Sequence, residues 1–178
     1  MKLPLLLLFI FSASFFNQTE TENFLIENNQ VIWQKIYETE LTKESLVNKI
    51  RTNGNFENIN ITDKELTAEI KDLSIDYKGY GESEMSTPMY LSRSAVKVFC
   101  IIEFKDQKYR VTFKNIKFIQ KYDDALSKMG EVNEIETFAL VKKNTEFKSG
   151  FLKKPCKILN YTFSKQTDFR NNGDNRKW

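Results

Sequence analysis

The fold is decided by two neighbouring stretches of the chain, 96–104 (VKVFCIIEF) and 109–113 (YRVTF). Side chains alternate along both stretches with the two-residue period of a β-strand that has one buried face. Asp106-Gln107 lies between them and has the length of a tight hairpin turn. A two-residue turn of this kind predicts that Glu103 lies opposite Arg110 in the paired strands.

The predicted pairing divides this hairpin into two faces. One face carries only apolar side chains between Val96 and Phe113, and we expect it to meet helices. The other face is the candidate contact surface, and it holds Phe99, Ile101, Glu103, Arg110, Thr112 and Lys114.

Two interpretations of the Glu103–Arg110 pair stay open at this stage. The simpler one is a cross-strand ion pair on a half-exposed face. The other makes Arg110 a clamp for an anion, with Phe99 and Ile101 as its apolar floor. Two large apolar side chains beside charges should be covered by a loop, a partner or a ligand. Segment 78–91 is the simplest cover.

The rest of the chain supplies further strands and two well-marked helices. Thr42 offers a helix N-cap, and Asn53-Gly54 is expected to end that helix through a left-handed glycine. Pro155 suits the first position of a helix that runs to Phe169. The remaining predictions are a strand at 31–37, a hairpin of 56–61 with 66–70, a bulge at 71–72, a loop at 78–89, a loop with a helical turn at 122–134, and a strand at 137–141 with a helix as its rival. This order predicts an α+β domain, an antiparallel sheet with helices on one face.

The N-terminus has the pattern of a secretory signal peptide. Lys2 precedes an uncharged apolar run, and Ser12-Ala13-Ser14 supplies the small residues of a cleavage site. We expect cleavage after Ser14. The apolar run is shorter than the roughly 20 residues of a transmembrane helix, so no membrane span is expected after cleavage. The predicted organisation is a signal peptide at 1–14, a leader at 15–29, one domain at 30–169 and a frayed tail at 170–178.

Composition removes several classes of chemistry. The chain has no histidine, which excludes a Ser-His-Asp triad and an HExxH zinc site. Two cysteines are too few for a Cys₄ zinc ribbon. The formal charge of +3 falls to +2 without Lys2, which argues against nucleic-acid binding by bulk charge. We assign no catalytic residue, metal ligand or cofactor.

Two further pairs of residues have two interpretations each. In an exported protein, Cys100 and Cys156 could form a disulfide, or they could be two small buried thiols.

Trp33 and Tyr37 share one face of a predicted strand. Core packing is favoured for them over a stacking platform for a sugar.

Four stretches resemble a known family: 31–37 (VIWQKIY), 77–81 (YKGYG), 102–111 (IEFKDQKYRV) and 157–163 (KILNYTF). They are similar to exported Bacteroidota proteins of unknown function that have a TATA-box-binding-protein-like (TBP-like) fold. The resemblance covers residues 30–169 and implies that fold, in the order strand, helix, strands, helix, together with export. It implies no catalytic residue, and a fold name of this kind does not imply DNA binding. Gln107 departs from the glycine expected in the turn, which implies another type of two-residue turn.

These observations favour a non-catalytic binding or interaction module of the cell envelope, periplasmic or extracellular. Its partner would be an envelope protein or a small ligand. One alternative is an envelope enzyme that uses two carboxylates or a Ser-Lys pair. Another is self-association through an edge strand.

Overall fold

Seven antiparallel strands form one sheet in the computed structural model, which describes residues 21–125, 127–142 and 144–170. The order across the sheet is β1-β2-β6-β5-β4-β3, and β7 pairs with the far end of β6. The strands are β1 (Phe24–Glu27), β2 (Gln30–Glu38), β3 (Glu57–Ile61), β4 (Glu65–Ser74), β5 (Ser94–Lys105), β6 (Lys108–Gln120) and β7 (Val132–Glu134).

Within the described ranges the helices are α1 (Lys43–Thr52), α2 (Met89–Ser92), α3 (Ile135–Ala139), α4 (Ser149–Leu152) and α5 (Lys154–Thr167). All five pack on one face of the sheet. Each helix contacts a side chain of that face. Lys43 of α1 lies over the Phe104 ring, and both Tyr90 of α2 and Phe138 of α3 contact Phe118. Phe151 of α4 contacts Phe24, and Phe163 of α5 contacts Trp33. The predicted α+β class, with helices on one face of an antiparallel sheet, is therefore confirmed.

The central hairpin has the predicted register. Glu103 lies opposite Arg110, and Lys105 lies opposite Lys108 across the turn. Gln107 has a φ of 57°, the left-handed conformation that favours glycine. Farther along β6, Asn115 is also left-handed, where the β5–β6 register shifts, and this extra residue keeps Phe118 on the same face as Phe113.

An aromatic layer joins the sheet to α5. The Phe163 ring lies 5.6 Å from Trp33 and 5.1 Å from Phe113, both in edge-to-face geometry. These side chains are fully buried, so Trp33 belongs to the core as expected. Its indole Nε1 donates a hydrogen bond to Asn160 Oδ1 at 2.9 Å, which satisfies the polar atom of a buried ring.

Two tyrosines anchor the other end of α5. Tyr37 and Tyr109 stack with their ring centroids 4.9 Å apart. The Tyr37 hydroxyl lies 2.7 Å from Thr167 Oγ1, and the Tyr109 hydroxyl donates to the Thr167 carbonyl oxygen at 2.9 Å. The end of α5 is thus held to the turn end of the β5–β6 hairpin.

The predicted helix at Thr42 and the predicted C-terminal helix are both present. Thr42 Oγ1 accepts a hydrogen bond from Ser45 N, and Pro155 stands in the first turn of α5. The predicted left-handed end at Gly54 is wrong. Asn53 ends α1 in an extended conformation and donates its backbone N–H back to the last turn.

Three short elements differ from the sequence-based expectations. Phe24–Glu27, predicted as part of the leader, forms β1, because Phe24 is buried against Phe151 and Phe163. The strand predicted at 137–141 is wrong, since Ile135–Ala139 is a helical turn that buries Ile135 and Ala139. The predicted loop at 122–134 ends in β7, which pairs with β6.

Cys100 and Cys156 are both unbonded and buried, so of the two interpretations the structure has the free thiols. Burial raises the pKa of the Cys156 thiol to about 12, with Glu22 adding to the shift. Burial also raises the pKa of Cys100. The predicted signal peptide at 1–14 and all of the tail after Arg170 lie outside the described residues.

A Gln107→Gly variant should raise the free energy of unfolding by about 0.5 kcal/mol. Glycine adopts the left-handed conformation without the strain that a larger side chain has there. The free energy gained in this way exceeds the free energy lost because glycine makes the unfolded chain more flexible. Urea denaturation measures the difference. Asp106→Gly is the matched control and should be destabilising, because Asp106 does not have a positive φ. Equal effects at both positions would contradict this explanation of the turn.

Stability should fall as the pH rises above about 10. Burial raises the pKa of Tyr37 from 10.0 to about 12, and it also raises the pKa of Tyr109. Both phenols lose their protons more easily in the unfolded chain, so this stability is present below pH 10 and is lost as the pH climbs towards 12. Denaturation at several pH values tests this. In Tyr37→Phe the slope of stability against pH should be shallower, and an unchanged slope would count against the role of Tyr37.

Candidate functional site

The six residues of the predicted contact surface lie together on the sheet face opposite the helices. We call this side the open face. Phe99, Ile101 and Glu103 come from β5, and Arg110, Thr112 and Lys114 come from β6. They share a face because strand side chains alternate, and their core-side neighbours contact the helices. Phe99 and Ile101 are half-buried. The predicted grouping is therefore present, and its role in binding stays a prediction.

Glu103 and Arg110 form a bidentate ion pair across β5 and β6. Arg110 Nε donates to Glu103 Oε2 at 2.7 Å, and an Nη nitrogen donates to Oε1 at 2.6 Å. The guanidinium lowers the pKa of the Glu103 carboxyl below its usual value. Because both oxygens of Glu103 occupy the fork of Arg110, the geometry is that of the cross-strand pair rather than of an open anion clamp.

Thr112 and Lys114 also have partners on strands beyond the hairpin. Thr112 Oγ1 accepts a hydrogen bond from Gln34 Nε2 of β2 at 3.0 Å, and Thr112 is only 3% exposed. Lys114 Nζ reaches Glu27 Oε2 of β1 at 3.0 Å. The open face is therefore crossed by polar pairs that link four neighbouring strands.

Segment 78–91, which we expected to cover Phe99 and Ile101, lies on the helix side instead. Tyr80 packs against Tyr161 of α5 with ring centroids 5.8 Å apart. Glu82 accepts a hydrogen bond from Lys154 Nζ of α5 at 2.9 Å, and Leu91 is buried in the core. The expectation was wrong because the aromatic and charged side chains of this segment have closer partners on α5.

Ile36 is the residue of this surface that the sequence analysis missed. It lies opposite Arg110 in the β2–β6 register and is 59% exposed, unlike most large apolar side chains of the described chain. The alternation of 31–37 already turned Ile36 away from Trp33 and Tyr37. The missing information was that β2 is the neighbour of β6.

A depression of about 390 Å³ lies beside Ile36 at the turn end of the hairpin. Its lining comprises Ile36, Glu103, Phe104, Lys105, Lys108, Tyr109 and Arg110. An exposed aliphatic side chain thus stands next to a bidentate ion pair. Apolar contact at the centre and charged groups at the rim are the usual composition of a protein–protein contact.

Among the described residues, every carboxylate with a shifted pKa is stabilised in the ionised form. Lys165 and the Gly79 N–H lower the pKa of Asp76, and Ser86 and Lys154 lower the pKa of Glu82. A carboxyl group that acts as a general acid near neutral pH needs a raised pKa. These two carboxylates therefore have the chemistry of structural ion pairs.

Among the described residues, no group of three or more Cys, Asp or Glu side chains is arranged to hold a metal ion. None of the described helices has the length and apolar character needed to cross a membrane.

The chain is similar to two solved structures from Bacteroidetes species. A TBP-like protein from Parabacteroides distasonis is 15% identical, with a TM-score of 0.49 over 79% of this chain and 90% of that chain. A DUF4468 family protein from Bacteroides ovatus is 14% identical, with a TM-score of 0.45 over 80% of this chain and 85% of that chain. No family model and no curated protein matches the chain.

A double-mutant cycle on Glu103→Gln and Arg110→Gln should give a coupling free energy below about 1 kcal/mol. Both side chains are more than a third exposed, at 38% and 44%, so solvent screens the pair. Urea denaturation of the wild type, the two single variants and the double variant measures the coupling. The Lys71–Glu57 pair, at 46% and 51% exposure, is the matched control cycle. A coupling well above the control would show that Glu103–Arg110 is a structural requirement of the sheet.

Proposed function

We propose that the chain is an exported, non-catalytic binding module of the cell envelope, and that its open face contacts a protein partner. The observation that carries the proposal is the exposed Ile36 beside the Glu103–Arg110 pair. Phe99 and Ile101 extend the apolar part of this surface along β5.

The shape of the open face favours a protein partner over an enclosed small molecule. Small-molecule sites are lined mainly by apolar and aromatic side chains, whereas the depression at Ile36 is also lined by Glu103, Lys105, Lys108 and Arg110 and adjoins a broad sheet face. A sheet face offers a broad, rigid surface that needs no rearrangement to meet another protein. Ion pairs around the apolar residues would then select the partner by charge.

Export rests on the N-terminal pattern of Lys2, the apolar run and Ser12-Ala13-Ser14. Two unbonded, buried thiols are compatible with an oxidising compartment, because a buried thiol is inaccessible to oxidants. In this proposal the protein is found in the envelope fraction without residues 1–14.

Site-directed cross-linking tests the contact. An Ile36→Cys variant carrying a thiol-reactive benzophenone should form a discrete adduct with an envelope protein of the source cells. The native thiols should not interfere, since both are buried with raised pKa values. Met85→Cys is the matched control, because Met85 is 100% exposed and lies in the segment that packs on the helix side.

Competition makes the result specific. Unlabelled wild-type protein should abolish the Ile36 adduct, and an Arg110→Glu competitor should fail to do so because it places two carboxylates opposite each other. The proposal is wrong if Ile36→Cys and Met85→Cys give the same adducts, or if Arg110→Glu competes as well as the wild type.

A further inference from the structure

Positive charge is concentrated in one segment of the chain. Residues 142–157 contain six lysines and one glutamate, which leaves 21 Lys and Arg against 23 Asp and Glu elsewhere. The net charge of the chain is therefore close to zero although this segment carries an excess of positive charge. Surface charge acts over about a Debye length, so a local excess of this kind matters for binding.

The fold brings the exposed lysines of this segment to one corner of the helix layer. Leu140 and Phe147 form a β-bridge, α4 follows directly, and α5 begins at Lys154. Phe147 and Phe151 stack, with centroids 5.7 Å apart, and Phe151 is buried. The aromatic side chains therefore turn inward, and the exposed lysines lie around them. We call Lys142, Lys148, Lys153 and Lys157 the lysine corner.

The lysine corner lies at the far end of α5 from the hairpin turn. Cys156, in the first turn of α5, donates to the carbonyl oxygen of Thr21, whereas Thr167, at its end, is bonded to Tyr109 near the turn. A helix of 14 residues spans about 21 Å. Lys153 directly precedes α5 and Lys157 lies in its first turn, so both lie at the start of this helix.

Few acidic side chains neutralise the positive charge of these lysines. No ion pair to a described residue engages Lys142, Lys153 or Lys157, and Lys148 Nζ donates to the Thr137 carbonyl oxygen at 2.7 Å. Lys154 differs, because Glu82 pairs with it at 2.9 Å. Other acids nearby include Glu146, in the turn after Lys142, and two that already accept hydrogen bonds: Glu22 from Asn160 at 2.9 Å and Glu136 from the Val31 N–H at 2.7 Å.

We propose that the lysine corner docks the protein on an anionic phospholipid membrane. Four exposed ammonium groups on long side chains suit a surface of many phosphates better than a single bound anion, because each ammonium is a point charge without the fork by which a guanidinium holds one phosphate. Because Phe147 and Phe151, the aromatic side chains of segment 142–157, stack on each other and pack against the core, the contact is with headgroups and does not insert into the acyl chains. Docking through the helix layer leaves the open face, on the other side of the sheet, free for its partner.

Vesicle sedimentation tests the docking with the full chain. The protein should bind vesicles of equal parts phosphatidylcholine and phosphatidylglycerol more strongly than vesicles of phosphatidylcholine alone. Added salt should remove this difference, because ions screen the attraction. The N-terminal apolar run is common to all variants, so the quantity compared is the part of the binding that depends on phosphatidylglycerol.

Two double variants with the same net charge locate the binding. Lys153→Gln with Lys157→Gln should weaken the phosphatidylglycerol-dependent partition about 25-fold, at about fivefold for each lysine. The control is Lys64→Gln with Lys105→Gln, since both are exposed lysines near the hairpin turns, and it should change the partition much less. Circular dichroism confirms that both variants are folded.

Three outcomes would overturn the proposal. One is equal binding to the two kinds of vesicle, and another is an equal loss in the two double variants. The third is binding of soluble polyphosphate, lost in Lys153→Gln with Lys157→Gln, without any binding to vesicles. The last result would assign the corner to a soluble polyanion.

Discussion

The contact between α5 and one face of the sheet is the constraint on which the rest of the structure depends. Trp33, Phe113 and Phe163 form its aromatic centre, and their rings meet at centroid distances of 5.1 to 5.6 Å. Each of these rings buries a large apolar area, which is the main favourable term in folding. Asn160 and Thr167 fix the position of α5 along the sheet, because they bind the Trp33 indole and the Tyr109 hydroxyl. With all described helices on this side, the opposite side of the sheet has to be stable in contact with water.

Paired polar groups make the open face compatible with water without making it wholly polar. Glu103 with Arg110, Thr112 with Gln34 and Lys114 with Glu27 connect adjacent strands. Exposed pairs of this kind contribute little to stability, and their value is in solubility and in the choice of partner. Ile36 and Ile101 remain between them as apolar contact points. Because the helices cover one side of the sheet only, we propose a separate role for each side. The open face selects a partner, and the lysine corner on the helix side orients the protein on a membrane.

Local patterns predicted much of the fold. The two-residue turn and the strict alternation around it determined the β5–β6 register, and the capping side chain of Thr42 marked α1. Local patterns do not predict an element that is short, or one whose deciding contact is distant in sequence. Four residues of β1 are too few for a period to be recognised, and Phe24 becomes part of a strand by packing on Phe151 and Phe163. The pattern of 137–141 suited a strand as well as a helix, and the helical turn Ile135–Ala139 forms because it buries Ile135 and Ala139. The candidate surface was predicted on the hairpin, whereas Ile36 required knowledge of which strand lies beside β6.

Solvent exposure of Ile101 tests most directly the claim that one sheet face is covered and the other open. Methyl NMR with a soluble paramagnetic gadolinium chelate measures it, because relaxation increases only for methyl groups that the chelate can approach. Ile102, the next residue on β5, is fully buried on the helix side and serves as the internal reference. The structure predicts strong relaxation enhancement at Ile36, a clear enhancement at Ile101 and none at Ile102. Protection of Ile101 equal to that of Ile102 would mean that the face is covered, and it would contradict the account.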